Sequence, residues 1–297
     1  MKKIIGLFAV LLITNPVISQ NYYKEFKKYL NDGDTVNQLE TLIKWKIADS
    51  TDPELFTCYF NYYFQRAKKE TVTLTKERPD GGAFEMKDSL GQVSGYIGSH
   101  FYIDLYEIQK GLDIIERGIE MYPDRLDMRF GKIYVYGQIR DWENFTREII
   151  EAVKRSGMND NQWLWAENEK QQNGKEYFLT SLQDYQVQLY ETGSDALLAN
   201  MQAIANEILS YYPDDIMSLS NLSVTYLLTD EYDKALECLL RAEKLNPKDY
   251  IVLANIAHAY KLKGDKQKAI EYYEKTIQYG DEEAAADAKR QIEDLNK

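Results

Sequence analysis

The sequence predicts a mostly α protein, an alpha-alpha superhelix built as a solenoid of stacked hairpins, with a small antiparallel β insertion near residues 71–98. Three observations predict it. Near the C-terminus the same residue classes return every 34 residues. Elsewhere apolar residues recur at spacings of three and four, the signature of a helix buried along one face. Only over 71–98, TVTLTKERPDGGAFEMKDSLGQVSGYIG, does the alternation change to period two, with turn residues at Pro79–Gly82 and Asp88–Gly91.

The chain opens with MKKIIGLFAVLLITNPVISQ. Lys2 and Lys3, the apolar run from Ile4 to Ile13 and the small residues up to Ser19 are the three parts of a secretory signal, with cleavage expected before Gln20. The run is shorter than the roughly 20 residues that cross a bilayer, and no later stretch is as apolar, so no stable membrane insertion is expected. The expected location is periplasmic or secreted. Loss of residues 1–19 removes two lysines and no acid, which moves the formal net charge from -12 to -14. Nucleic acid is held by rows of Lys and Arg that displace counterions, and a chain this acidic, without a basic block, is expected to bind none.

Residues 20–123 are expected to be an N-terminal helical region carrying the β insertion. Residues 22–68 read as two or three helices, one with Leu39, Leu42, Ile43 and Trp45–Ile47, the next with Phe56, Tyr59, Phe60, Tyr63 and Phe64. Pro53 suits the first turn of the latter. The period-two stretch then predicts two or three short strands, followed by a helix over 101–121 that ends at Pro123. An inserted ribbon has two readings: a flap that packs on the first helices, or an element that folds over a groove or pairs its edge with a partner strand.

Residues 124–213 are expected to be diverged helical repeats, and 214–297 two regular repeats with a capping helix. Residues 216–249 lie over 250–283 with Leu219 on Leu253, Leu222 on Ile256, Ser223 on Ala257, Tyr226 on Tyr260, Ala235 on Ala269 and Leu239 on Tyr273. Leu219, Leu222 and Tyr226 share one helix face, and Ala235, Leu239 and Ala242 share another. Small residues at Ser223, Ala257, Ala235 and Ala269 let paired helices approach closely. Asp230 and Gly264–Asp265 mark turns, and Pro247 ends a helix. This pattern resembles the tetratricopeptide repeat, a helix-turn-helix unit of this length. Residues 124–157 align with 214–247 without a gap, Tyr136 on Tyr226 and Ala152 on Ala242. Helices are expected over 175–191 and 194–211, the latter with Leu197, Met201, Ala205 and Ile208 on one face. Residues 158–173, with Trp163 and Trp165, break the period and read as an insertion. The alanine-rich 282–297 reads as the cap that a solenoid places over its last hairpin.

No motif points to chemistry. The two histidines, His100 and His258, lie far apart, and there is no HExxH, GxSxG, phosphate loop or CxxC. Cys58 and Cys238 are too distant for a metal site. One disulfide between them is open in an oxidising compartment, although both sit in apolar helical stretches where a free Cys packs as a small hydrophobe. No catalytic residue, metal or cofactor is expected, and the acidic clusters read as solvated repeat turns.

With the core stripe assigned, the neighbouring stripe of each first helix faces the inner groove. It carries Met217, Ser220, Asn221, Val224 and Leu227 on one repeat, and Ile251, Ala254, Asn255, His258 and Lys261 on the next. The resemblance implies that repeats gripping a C-terminal carboxylate use Lys or Arg with Asn along this stripe. Here Asn221 and Asn255 match the Asn position, while Ser220, Val224 and Ala254 stand where cations would. An apolar peptide segment suits this stripe better than a charged terminus. The expectation is a non-catalytic scaffold, of the exported bacterial type, that holds a protein or peptide partner. A second reading is a glycan- or peptide-binding protein using some of the 24 tyrosines, or an accessory subunit of an envelope enzyme.

Overall fold

The structure, a computed structural model, describes residues 16–79 and 82–297. The basic start and apolar run of the predicted secretory segment lie outside the described residues. The chain divides into two compact units, one running to Met128 and including Ala166–Glu169, the other comprising Arg129–Trp165 and Lys170–Lys297. Its hairpins form an alpha-alpha superhelix with a three-stranded antiparallel insertion.

The first unit begins with α1 (Pro16–Asn31), α2 (Thr35–Ala48) and α3 (Pro53–Ala67). Phe26, Leu42, Trp45, Leu55, Cys58 and Tyr62 form their core. Asp52 explains why α3 starts where it does: one carboxylate oxygen accepts from the Glu54 N–H at 2.8 Å, the other from the Trp45 indole at 3.2 Å. Pro53 takes the first turn as expected. Ile43 and Ile47, grouped with this core on sequence, are exposed, because consecutive helical residues cannot all share the face that buries Leu42 and Trp45.

β1 (Lys68–Thr75), β2 (Ala83–Lys87) and β3 (Val93–Ile103) follow, in spatial order β1-β3-β2. Register runs from Lys68 opposite Ile103 to Thr75 opposite Tyr96, and from Ala83 opposite Gly98, with a bulge between Met86 and Lys87. The first and last strands in the sequence, β1 and β3, exceed the predicted 71–98. β3 continues to Ile103, so α4 (Leu105–Met121) starts later than expected, where the Asp104 side chain accepts from the Tyr106 and Glu107 N–H groups. α4 packs on α3 through glycine: a Cβ at Gly118 would lie 2.9 Å from Phe56 Cβ and 3.0 Å from Met128 Sδ. A buried ionic cluster completes the unit. Arg125, with no exposed surface, meets Glu54 at 2.7 Å and Asp127 at 2.8 Å, and the Glu167 N–H donates to the same Glu54 oxygen at 2.7 Å.

The second unit takes in α5 (Leu126–Gln138) from Arg129 onward, α6 (Trp142–Met158), α7 (Gly174–Glu191), α8 (Leu198–Tyr211), α9 (Ile216–Leu228), α10 (Tyr232–Leu245), α11 (Tyr250–Lys263), α12 (Lys266–Tyr279) and α13 (Glu282–Leu295). A single 3-10 turn, Asp195–Leu197, stands where the predicted helix over 194–211 was to begin. Ser223, Ala235, Ala257 and Ala269 are fully buried, the tight contacts that the 34-residue pattern predicts. Gly264 caps α11 in the left-handed conformation at φ 87°, and Asp230 adopts the same conformation after α9. Ala288 of α13 joins the core of the last hairpins, as a cap should. In the insertion, Trp163 is buried against Phe178, and Trp165 meets Phe130 and Tyr177 edge-on. Its turns use Asp160, Asn161 and Asn173 in the left-handed region. Cys58 and Cys238 are both free thiols, the first buried and the second half-buried.

Candidate partner-binding groove

Three first helices, α7, α9 and α11, present adjacent stripes within the second unit. On α9, Met217 is exposed and Asn221 and Val224 are half-buried; on α11, Ile251 and His258 are exposed and Asn255 is half-buried. Leu227, predicted on the stripe, is instead buried among Leu219, Leu236 and Leu239. At 100° per residue it lies about 80° from the line through Met217, whereas Leu228 lies about 20° from it. Leu228, with 51% of its surface exposed, continues the stripe, and Leu262, at 41%, continues that of α11.

The polar groups predicted to meet a partner are mostly engaged already. The Asn221 amide and the Gln183 amide of α7 exchange reciprocal hydrogen bonds, which fixes α7 to α9 at mid-groove. Lys261 donates to Gln291 Oε1 of α13 at 2.7 Å, so its ammonium ties the cap to the last hairpin. His258, although exposed, is held below the ordinary histidine pKa by partial desolvation of its imidazole and by the nearby charge of Lys261. The stripe is therefore apolar at Met217, Val224, Leu228, Ile251 and Leu262, with neutral amides and a predominantly neutral imidazole between them.

At the end of the groove where α7 and α9 begin lies a concavity of about 580 Å³, lined by Asp160, Asn161, Asn173, Lys175, Thr180, Asp215 and Met217 among others. Sequence reasoning missed α7 as a wall of the groove, because only Gln183, Val187 and Tyr190 mark it and its period is diverged. Val187 and Tyr190 are exposed on the side that carries Gln183. Among the described residues no helix is long and apolar enough to cross a membrane.

No curated protein matches this sequence. Solved structures similar to it include YrrB, described as a TPR protein with an unusual peptide-binding site, at 15% identity and TM-score 0.41, covering 84% of this chain and 97% of that one. A MamA fragment from Desulfovibrio magneticus RS-1 is 13% identical with TM-score 0.30, covering 88% of this chain and 94% of its own. The TPR domain of P58(IPK) is 12% identical with TM-score 0.34, covering 94% of this chain and 66% of that one. At these scores none of the three bears on the site. The family model for the tetratricopeptide repeat matches residues 218–249 and 251–279, which hold α9 with α10 and α11 with α12. With the 34-residue period, the buried small residues and the left-handed turns already described, the two hairpins over residues 218–279 are tetratricopeptide repeats.

Proposed function

We propose that this chain is an exported, non-catalytic scaffold that holds an apolar peptide segment or partner helix in the groove formed by α7, α9 and α11. The observation that carries the reading is the row of exposed apolar side chains, Met217, Leu228, Ile251 and Leu262, on successive first helices whose opposite faces are buried. Stacked hairpins expose such a concave surface, and an amphipathic segment binds it by its own apolar face. With Lys261 bonded to Gln291, nothing on this stripe favours a carboxylate terminus.

Crosslinking in the native compartment, followed by identification of the captured protein, tests the reading. Met217→Glu with Ile251→Glu should abolish capture and leave the melting temperature within a few degrees, since both side chains already face solvent. Retained capture overturns the groove assignment. Export rests on Lys2, Lys3, the run Ile4–Ile13 and Ser19. Intact-mass measurement of envelope or secreted material should show a chain starting near Gln20. Full-length chain recovered from the cytoplasm alone overturns it.

A further inference from the structure

The two faces of the three-stranded sheet differ. Directly opposed residues share a face, so Thr71, Thr73 and Thr75 of β1 stand with Gly98 and His100 of β3 on one side. The chain covers part of this side itself: a Cβ at Gly98 would lie 2.7 Å from Pro79 Cγ and 3.1 Å from the Gly82 carbonyl oxygen, and Gly98 is buried. The other side is apolar. Val72 and Leu74 of β1, Ile97 and Phe101 of β3, and Phe84 and Met86 of β2 stand there across all three strands. All six are exposed, Val72 at 73% and Phe84 at 82%, so nothing among the described residues covers the patch. Charged side chains flank it at its two ends, Lys68 and Glu70 next to α3 and Lys87 beyond the bulge, and none stands within it.

An apolar sheet face is stabilised when a second layer covers it, and sheets meet each other face to face about 10 Å apart. Size and charge name the layer. The six side chains together expose roughly 700 Å², more than an ordinary surface patch and close to the ~800 Å² that each partner contributes to a standard interface. Residues 68–103 carry five Lys or Arg and five Asp or Glu, a net charge of zero, while the whole chain carries -12. The ribbon has no excess charge to select an acidic partner, a basic partner or an anionic lipid surface, and two ribbons in contact do not repel each other. A second ribbon presents the same area, the same outline and the same lack of charge. A two-fold axis in the plane of contact lays one patch on the other and leaves the side covered by Pro79 outside, so association stops at two copies.

We propose that two copies of this chain dimerise by stacking the apolar faces of their sheets, as the two layers of a six-stranded sandwich. Each copy buries Val72, Leu74, Phe84, Met86, Ile97 and Phe101 against the same set of its partner. These residues belong to the first unit and none of them lines the groove, so failure of either reading leaves the other standing.

Sedimentation velocity on the mature full chain over a range of concentrations tests this, with circular dichroism as the check on folding. The wild type should show a concentration-dependent dimer. Val72→Glu or Phe84→Glu puts an unpaired charge into the stack and should weaken association at least tenfold, whereas Thr71→Glu, on the same ribbon but on the other side, should leave it unchanged. Ile97 lies at the middle of the patch, opposite both Leu74 and Phe84. In a Cys238→Ser background, where the remaining Cys58 is buried, Ile97→Cys should crosslink to a dimer with a short bismaleimide, and His100→Cys on the opposite side should not. Flotation with phosphatidylcholine vesicles identifies a lipid occupant, and the chain should stay at the bottom of the gradient. A wild type that remains monomeric, patch variants that dimerise as well as the wild type, crosslinking through His100→Cys in preference to Ile97→Cys, or a wild type that floats with the vesicles each overturns the proposal.

Discussion

Arg125 shows what a single buried charge requires. Burial works against its ionised form, and the hydrogen bonds to Asp127 and Glu54 outweigh that and hold its pKa above the ordinary arginine value. Removal of one partner leaves the other charge buried and unpaired, so Arg125→Ala should lower stability by about 3–5 kcal/mol in urea unfolding. Replacing Arg125, Glu54 and Asp127 together by apolar residues of similar size should cost far less, because no uncompensated charge remains. None of this was legible in the sequence. Glu54 and Arg125 are 71 residues apart, and Glu54 and Glu167 are 113 apart, beyond any local pattern. His258 carries a weaker signal of the opposite kind. Its folded pKa is lowered, so the unfolded chain takes up a proton first as pH falls; its contribution is intact above the unfolded value and is lost as pH drops through the folded one. Stability measured from pH 7 to 5 should fall less for His258→Gln than for the wild type.

At the scale of the helix and strand, close approach sets the tolerances. Ala235 and Ala269 have no exposed surface, and Leu at either should overpack its hairpin at a cost of roughly 1–3 kcal/mol, read as a lower melting temperature. Gly118→Val should be destabilising by a similar amount, about 1–3 kcal/mol, since its Cβ would press on Phe56 Cβ, an atom fixed to the backbone of α3. The repeat contacts were readable because two copies of the pattern sit side by side in the chain. Gly118 was not, because a helical glycine looks the same in sequence whether it faces solvent or a neighbour. Element types were legible and ends less so. β1 begins directly at the end of α3, and β3 runs on until Asp104 caps α4, since the ladder and the cap compete for the same few residues. Leu227 was misplaced for a related reason: with Leu227 and Leu228 adjacent and both apolar, composition cannot say which faces the core, and only the helical angle decides.

Over the whole molecule, the acidic excess is partly structural. Among the described residues the Asp34, Asp52, Asp104, Asp141, Asp215, Asp249, Asp265 and Asp281 side chains each accept a backbone N–H at a helix start. Negative charge there is favoured by the helix dipole and marks where each element begins. The same excess should leave the chain unable to hold single- or double-stranded nucleic acid at about 0.1 M salt, which filter binding or fluorescence anisotropy can check. The helix-turn-helix character of the C-terminal hairpins was legible because their contacts are local, and locality also governs how the chain assembles. α9 meets α10 across a three-residue turn, and β1 meets β3 within one ribbon, so each can close soon after it is synthesised. The Glu54 carboxylate is the exception. It waits for the backbone of Glu167, so a chain stalled between α4 and the insertion holds Arg125 without the full set of groups that fix its partner. The first unit is thus completed only once part of the second has been made, and interrupted synthesis there should leave an opened core for quality-control proteases to find.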